Sequence, residues 1–121
     1  MQRGELEPEI TFEQFEAVDM RVARVISATM AEGTRKPSRH LRLDFGRFGE
    51  RTSVGQFALI PESELVGRNV IACVNLGTRR IGKYSSEALV LGAPHPSSPA
   101  DQAQATPMYI SNDVEPGSRI F

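Results

Sequence analysis

The hydrophobic positions of this chain follow the two-residue period of a β-strand in several separate segments. Within residues 39–45, Leu41, Leu43 and Phe45 alternate with polar residues. Such alternation places every second side chain on one face and predicts a half-buried strand. Similar patterns and β-propensity predict further strands over Met20–Met30, Arg51–Phe57, Asn69–Leu76, Glu87–Leu91 and Met108–Ile110.

Three of these strands carry features of a small closed barrel. The apolar parity of the first strand shifts between Val22 and Val25, which indicates a β-bulge or a sharp coil. Gly55 lies inside the third strand and indicates a bulge or the close approach of another backbone. The segment Asn69–Leu76 is apolar on both faces, as expected of a strand covered on both sides.

One short helix is predicted before the first strand. Thr11 and Gln14 form a capping-box pattern that opens a helix ending near Ala17. Phe12 and Phe15 lie three positions apart and therefore share a face of this helix. A helix of this length is not stable alone, so the two rings must dock on the end of the barrel or on a second subunit.

The order of these elements predicts the fold class. One helix followed by five or six strands, without alternation of helices and parallel strands, predicts an all-β protein. We predict a five-stranded OB-fold β-barrel with a short N-terminal helix and a short C-terminal strand extension. Residues 1–10 are predicted to be disordered or loosely attached, residues 11–121 to form a single domain, and the Pro-rich residues 93–106 to form a flexible loop.

Composition excludes several classes of protein. No apolar run approaches the roughly 20 residues of a membrane span, and the acidic first residues do not resemble a signal peptide. Cys73 is the only cysteine, so an internal disulfide or a cysteine metal cluster is excluded. We therefore expect a cytoplasmic protein without membrane insertion.

The net charge of −1 conceals a strongly basic middle. Residues 21–86 carry twelve basic and five acidic residues, and so a charge of +7, between acidic flanks. Either surface charge clusters there by chance, or the middle of the chain faces a phosphate-bearing partner.

The densest cationic segment connects two predicted strands. Arg79, Arg80 and Lys83 are three cations within five residues, flanked by Gly77 and interrupted by Gly82. They are either solvated loop charges or contacts for an anion. Single strand arginines, among them Arg39 and Arg51, are further candidates because strands two and three form the usual binding face of an OB-fold.

Known catalytic motifs are absent from the sequence. It contains no nucleophile elbow, phosphate-binding loop, dinucleotide fingerprint or zinc-protease motif, and only two histidines. We therefore expect no enzyme activity, no cofactor and no metal site.

The middle of the chain resembles the tRNA-binding domain family. The resemblance rests on Val74-Asn75-Leu76, on Arg79-Arg80-Ile81, and on Ser86-Glu87 followed by an apolar run, and it extends over roughly Phe15 to Phe121. The run from Ser86 to Gly92 is most similar to the CsaA group of small secretion chaperones. The resemblance implies an OB-fold, a homodimer, and positions close to the RNA surface for Asn75, Ser86 and Glu87.

Two functions follow as hypotheses. The first is a non-catalytic protein of the CsaA type that binds tRNA or other folded RNA as a homodimer, by shape and phosphate contacts. Its predicted RNA-binding residues are Arg39, Arg51, Asn75, Arg79, Arg80, Lys83, Ser86 and Glu87, and its predicted dimer interface is Phe12, Phe15, Ile120 and Phe121. The alternative is an export-related chaperone that binds unfolded or preprotein polypeptide in an apolar groove formed by residues such as Phe12, Phe48, Phe57 and Met108.

Overall fold

A computed structural model describes residues 4–121 and shows an all-β fold with one short helix in that range. The helix α1 spans Phe12–Glu16 and has the predicted capping box at Thr11. Short 3₁₀ turns span Gly46–Phe48 and Glu62–Glu64. The strands are β1 Met20–Met30, β2 Arg39–Asp44, β3 Glu50–Gly55, β4 Asn69–Cys73, β5 Arg79–Ile81, β6 Tyr84–Ser86, β7 Leu89–Val90, β8 Gly92–Pro94, β9 Ala105–Pro107 and β10 Tyr109–Ile110. The all-β class and its single short helix are confirmed.

The main sheet has six antiparallel strands. Its order is β10-β4-β1-β2-β3, with β7 also paired to β4. The long strand β1 is shared, since its first half pairs with β4 and its second half pairs with β2. Residues 87 and 88 donate backbone N–H bonds to the Thr52 carbonyl on β3 just before β7 joins β4. Complete closure of the sheet into a barrel stays a prediction.

The predicted bulge of β1 is present at a different position. Val25 pairs with Leu43 and Ser27 with Arg42, so Ile26 is the extra residue. The parity shift at Val22 has another cause. Val22 is buried because residues 117–120 run along this half of β1, where the Val22 N–H donates to the Ser118 carbonyl at 2.9 Å.

The core lies on the inner face of the sheet. Leu41, Leu43 and Phe45 are each at most 1% exposed, which confirms the inward alternation predicted for β2. They form one apolar cluster with side chains from the other strands, including Val25, Val70, Ala72 and Val90. This core fixes the strands that carry the polar residues of the candidate site.

Two segments predicted to be loops contain strands. The basic connector after β4 forms the hairpin β5–β6, and the Pro-rich segment forms the paired strands β8 and β9. The second pair is held by Gln104, a buried side chain that bonds to the Ala58 N–H at 2.9 Å and to the Pro37 carbonyl at 2.8 Å. Buried amide contacts of this kind leave no periodic trace in the sequence.

Other predicted strands are shorter than expected. The strand predicted over Asn69–Leu76 ends at Cys73. After it, Val74 and Asn75 bond to the segment that joins α1 to β1. The strand predicted over Glu87–Leu91 is reduced to Leu89–Val90. Residues 4–10 are exposed and contain neither helix nor strand, whereas residues 1–3 of the predicted disordered segment lie outside the described residues. Within residues 4–121, no helix is long and apolar enough to cross a membrane.

Candidate nucleic-acid interface

The hairpin β5–β6 presents the two adjacent arginines of the predicted basic connector. Arg79 pairs with Ser86 and Arg80 with Ser85, and Gly82 at φ 60° allows the tight turn at the tip. Successive strand residues point to opposite faces, so the exposure of both arginines shows that both faces of the hairpin are open to solvent here. Among the described residues, neither guanidinium has a hydrogen-bond or ion-pair partner. These two side chains therefore have their full donor capacity available for an anion.

Lys83 at the tip of the hairpin has an intramolecular partner. Its ammonium group lies 2.8 Å from the Glu32 carboxylate, and this hydrogen bond raises the pKa of Lys83 and lowers that of Glu32. The Tyr84 hydroxyl accepts a hydrogen bond from the Glu32 N–H at 2.9 Å, and the Tyr84 ring lies 4.8 Å from that of His40. Lys83 thus helps to attach the tip to the β1–β2 loop, and its charge is partly balanced.

Ser86 and Glu87 attach the hairpin to the outer edge of β3. The Ser86 hydroxyl accepts from the Val54 N–H at 3.1 Å, and the Glu87 carboxylate accepts from the Thr52 N–H at 2.9 Å. The Thr52 backbone N–H, its hydroxyl and, to a lesser extent, the charge of Arg51 lower the pKa of Glu87. Both motif residues therefore use their polar atoms to position the hairpin on the sheet.

Asn75 attaches the N-terminal helix to the end of β4. Its amide nitrogen donates to the Ala17 carbonyl at 2.7 Å, and its amide oxygen accepts from the Asp19 N–H at 2.9 Å. Arg119 makes a parallel contact by donating to the Glu16 carbonyl at 2.7 Å. Asn75 thus positions the N-terminal helix, through the segment that joins it to β1.

The two strand arginines point inward. Arg39 is 9% exposed, and its guanidinium donates to the carbonyls of Ala28, Phe57 and Ile60 at 2.7–3.3 Å. Arg51 is half-buried and donates to the Val74 carbonyl at 3.0 Å. Their strand parity places both on the same face as the core leucines. We therefore assign Arg39 a structural role and leave it out of the proposed interface.

The residues predicted for a dimer interface are mostly exposed in the single chain. Phe12 is 74% exposed and Phe121 fully exposed, while Phe15 is exposed with its ring 6.1 Å from that of Phe12. Ile120 is half-buried, and its N–H donates to the Met20 carbonyl at 2.8 Å. The helix contributes no buried side chain to the core of its own chain.

A second basic cluster was missed from the sequence. It surrounds Phe48, which is 46% exposed, with the guanidinium carbons of Arg21 and Arg47 at 5.0 Å and 4.7 Å from the ring centroid. A cavity of about 90 Å³ on one side is lined by Arg51 and Arg21, and a cavity of about 360 Å³ is lined by Arg47, Arg119 and again Arg21. Arg47 and Phe48 stand between Gly46 and Gly49, a spacing that by itself indicates a tight turn.

Within residues 4–121, no group of three or more histidine, cysteine or carboxylate side chains is arranged to hold a metal ion. The chemistry that this surface offers is therefore guanidinium and ammonium hydrogen bonding to an anion, with a small number of exposed aromatic rings. Such groups suit phosphate contacts and base stacking.

Comparison with known sequences points in the same direction. Residues 20–119 match the family described as "Putative tRNA binding domain". The methionine–tRNA ligase of Acidithiobacillus ferrooxidans is 32% identical over 115 residues, which are 93% of this chain and 16% of the ligase. The corresponding ligase of Streptococcus pyogenes serotype M18 is 35% identical over 114 residues, 92% of this chain. The chain thus spans only 16% of the length of these ligases.

Comparison with solved structures adds free-standing proteins of similar size. The crystal structure of chaperone CsaA from Bacillus anthracis str. Ames has a TM-score of 0.81 and 26% identity, covering 94% of this chain and 100% of that one. CsaA chaperone protein from Picrophilus torridus has a TM-score of 0.80 and 29% identity, covering 93% and 100%. A MetRS-related protein from Pyrococcus horikoshii has a TM-score of 0.79 and 26% identity, covering 95% and 100%.

Proposed function

This chain belongs to the tRNA-binding domain family, and from that premise we propose that it is a non-catalytic, cytoplasmic protein of the CsaA type that binds tRNA or other folded RNA as a homodimer. The observation that carries the proposal is the pair Arg79 and Arg80, two exposed guanidiniums that have no partner among residues 4–121, on a hairpin attached to the sheet. Arginine suits this role because its planar donors match the geometry of a phosphate.

The remaining motif residues support this surface indirectly. Ser86 and Glu87 fix the base of the hairpin on β3, Lys83 fixes its tip, and Asn75 fixes the neighbouring helix. A phosphate contact needs an oriented donor, so holding the hairpin at both ends favours binding by reducing the ordering cost on association. Lys83 adds a phosphate contact when RNA competes with Glu32.

Shape and phosphates supply most of the proposed recognition. Among the described aromatic residues, Phe57 is buried, Tyr84 lies against His40, and Tyr109 has the Arg68 guanidinium 3.6 Å above its ring. Proteins that bind single strands without sequence preference present rows of stacking rings. Apart from Phe48 and the terminal Phe12, Phe15 and Phe121, no described phenylalanine or tyrosine ring is exposed, which favours a folded RNA with a preformed backbone geometry.

Replacing Arg79 and Arg80 together by alanine tests the proposal. Fluorescence anisotropy with a labelled tRNA, repeated over a range of salt concentrations, should show weaker binding and a log–log salt slope reduced by roughly 0.7–0.9 for each lost phosphate contact. The melting temperature should change little, because both side chains are exposed and have no hydrogen-bond or ion-pair partner among the described residues. Arg68→Ala is the matched control, since Arg68 is an exposed arginine at the opposite end of β4.

Wild-type affinity and salt slope in the double variant would contradict the proposed interface. Weaker binding with an unchanged slope would show that the arginines act other than through phosphates. Equal losses in Arg68→Ala would show that only total charge matters.

The proposed homodimer rests on apolar side chains that the single chain leaves in water. Phe12, Phe15 and Phe121 are all exposed at the two terminal segments, which the hydrogen bond from Arg119 to the Glu16 carbonyl brings together. Burying one such ring is worth roughly 1.5–3 kcal/mol, so a second copy that covers them stabilises the assembly. A two-fold axis would also present two hairpins to one RNA.

Light scattering with on-line size exclusion measures the assembly directly. The wild type should have about twice the chain mass of 13.3 kDa. Phe12→Asp combined with Phe15→Asp should give the mass of one chain, because each partner would have to bury the new charges. Leu59→Asp, an exposed apolar position outside this cluster, should leave the dimer intact. A wild-type mass of one chain refutes the dimer.

A second candidate function is binding of unfolded polypeptide. Phe12, Phe48 and Met108 are exposed apolar residues that could contribute to a groove, whereas Phe57, which was predicted to contribute, is 3% exposed and belongs to the core. Salt separates the two functions, since phosphate binding weakens steeply with salt and apolar binding persists or strengthens, especially in sulfate.

A further inference from the structure

The basic cluster around Phe48 has no place in the proposed hairpin interface. It is built mainly from the 3₁₀ turn after β2, the start of β1 and the C-terminal segment, and Arg51 and Val74 complete its smaller cavity. The hairpin β5–β6 is a different segment, attached to the outer edge of β3 through Ser86 and Glu87. The two cavities of the cluster share Arg21 as a common wall. An exposed ring, several guanidiniums and adjoining cavities therefore meet at one place.

The charges around this cluster favour an anion. The cavity walls include four arginines, Arg21, Arg47, Arg51 and Arg119, against two carboxylates, Asp19 and Glu115. Asp19 is already paired, because its carboxylate accepts from Arg21 at 2.7 Å and lies 3.8 Å from Arg119. The cluster thus retains a formal charge of +2 after its carboxylates are counted.

The arginines differ in how much of their donor capacity is used. Arg21 is fixed by Asp19 and by a 3.2 Å bond to the Gly117 carbonyl. Arg47 has no hydrogen bond or ion pair among the described residues and rests only on the Phe48 ring. Arg51 uses one of its nitrogens to bond the Val74 carbonyl. The cluster therefore combines a ring suited to stacking with guanidinium N–H donors that are not used within the described chain and can bond an anion.

The two cavities differ in character. The smaller, of about 90 Å³, is walled by Phe45, Phe48 and Val74 together with polar side chains, and it is several times the roughly 10–15 Å³ that one water molecule needs. The larger, of about 360 Å³, is polar and has Arg47 and Arg119 in its wall. A partly apolar cavity beside a cationic cavity matches a planar base joined to a phosphate.

From this geometry we propose that the Phe48 cluster is a binding site for one unpaired nucleotide. The base stacks on Phe48 in the smaller cavity, Arg47 leaves the ring to bond the phosphate in the larger cavity, and Arg21 stays in place as the shared wall. The inference rests on the proposed RNA-binding function in taking the nucleotide to be an unstacked residue of the bound RNA. It adds a stacking subsite to a surface otherwise recognised through phosphates.

Titration of the wild-type protein with 5′-mononucleotides, followed by NMR, tests the site without RNA. AMP and GMP should shift the backbone amides of residues 46–49 and the Phe48 ring signals. The matching nucleosides and inorganic phosphate should each bind more weakly than the mononucleotide, because each supplies one half of the contacts. N-acetylphenylalanine serves as a probe for a peptide-type ligand.

Conservative variants separate the two halves of the site. Phe48→Leu keeps apolar bulk and should weaken mononucleotide binding about 5- to 140-fold, the range that loss of one stacked base implies. Arg47→Ala should weaken the mononucleotide but not the nucleoside. Arg68→Ala is the control for Arg47→Ala, since Arg68 likewise lies over an aromatic ring, that of Tyr109.

The outcomes distinguish this site from the hairpin. With tRNA, Phe48→Leu should lower affinity at an unchanged salt slope, whereas Arg79→Ala with Arg80→Ala should leave mononucleotide binding unaffected. If tRNA binding depends on the hairpin while Phe48→Leu and Arg47→Ala both bind as wild type does, the nucleotide site is refuted and the proposed function stands. If the wild type binds mononucleotides at Phe48 but no RNA, the proposed function fails instead. Shifts at residues 46–49 from N-acetylphenylalanine alone would overturn the nucleotide assignment.

Discussion

Arg39 provides the most direct test of how this fold uses its arginines. Its side chain lies in the core, and its Nη1 donates to the Ala28 carbonyl at 2.7 Å. Its Nε donates to the carbonyls of Phe57 and Ile60 at 3.3 Å and 3.1 Å, so that one N–H serves two acceptors. The guanidinium therefore joins the start of β2 to the end of β1 and to the segment after β3. Arg39→Met keeps most of the aliphatic volume and removes these donors.

The loss of stability expected from Arg39→Met follows from the carbonyl acceptors that it leaves without a hydrogen-bond donor. Two N–H groups are lost, and each carbonyl that stays buried without a donor costs about 1–3 kcal/mol. Because two of the three carbonyls share one donor, and because the mutant no longer buries a charge, we expect a loss of about 2–4 kcal/mol in the free energy of unfolding. That is a large part of the roughly 5–15 kcal/mol by which a domain of this kind is stable.

Urea denaturation followed by circular dichroism measures the loss. Arg42→Met is the matched control, since Arg42 occupies the outer face of the same strand and pairs with Glu50 at 2.8 Å. An exposed pair of this kind contributes roughly 0–1 kcal/mol. Arg39→Met should also bind RNA with wild-type affinity at a temperature where it is folded. A free energy of unfolding within about 0.5 kcal/mol of the Arg42→Met value would refute the structural role assigned to Arg39.

Two further predictions concern ionisable groups at the hairpin. The pKa of Glu87 lies below its usual value of 4.5 in the fold, so the stability due to its carboxylate is present above that pH and is lost as pH falls through the folded-state pKa. The wild type should therefore exceed Glu87→Gln in unfolding free energy by a constant amount near neutral pH, and this difference should disappear in acid. A difference that persists in acid would contradict the assignment. Glu32→Gln should free Lys83 for RNA, so that anisotropy titrations show tighter binding and a steeper salt slope at an unchanged melting temperature; weaker binding would show that the Glu32–Lys83 pair positions the tip.

Much of the framework could be predicted from the sequence because it follows local rules. The alternation in β2 and the capping box at Thr11 each involve residues that are neighbours in sequence, and both are present as predicted. For Arg39 the alternation rule was not applied to the whole of β2. Arg39 precedes Leu41 by two positions, so strand parity alone places it on the inward face, yet its charge led to its prediction as an RNA contact on the binding face of strands two and three.

The parts that could not be predicted depend on contacts between distant segments. The strands of the β5–β6 hairpin have three residues each and little apolar periodicity, and they are fixed by side-chain bonds from Ser86 and Glu87 to β3. The Phe48 cluster is assembled from four separate parts of the chain, at residues 19–21, 45–51, 74 and 115–119. Contacts between segments that are distant in sequence cannot be inferred from residue spacing or composition.

The attachment of Ser86 and Glu87 also has a consequence for how mutational data on this family should be interpreted. The outward N–H groups of Thr52 and Val54 on β3 donate to the side-chain oxygens of Glu87 and Ser86, at positions where a further strand would otherwise pair. Uncovered strand edges recruit edges from other molecules and promote aggregation. Substitutions at Ser86 or Glu87 would uncover this edge and so lower the amount of soluble protein. In a growth or pull-down screen, that loss of soluble protein would give the same result as a loss of RNA affinity. Solubility measured beside binding would separate edge protection from recognition at these two positions.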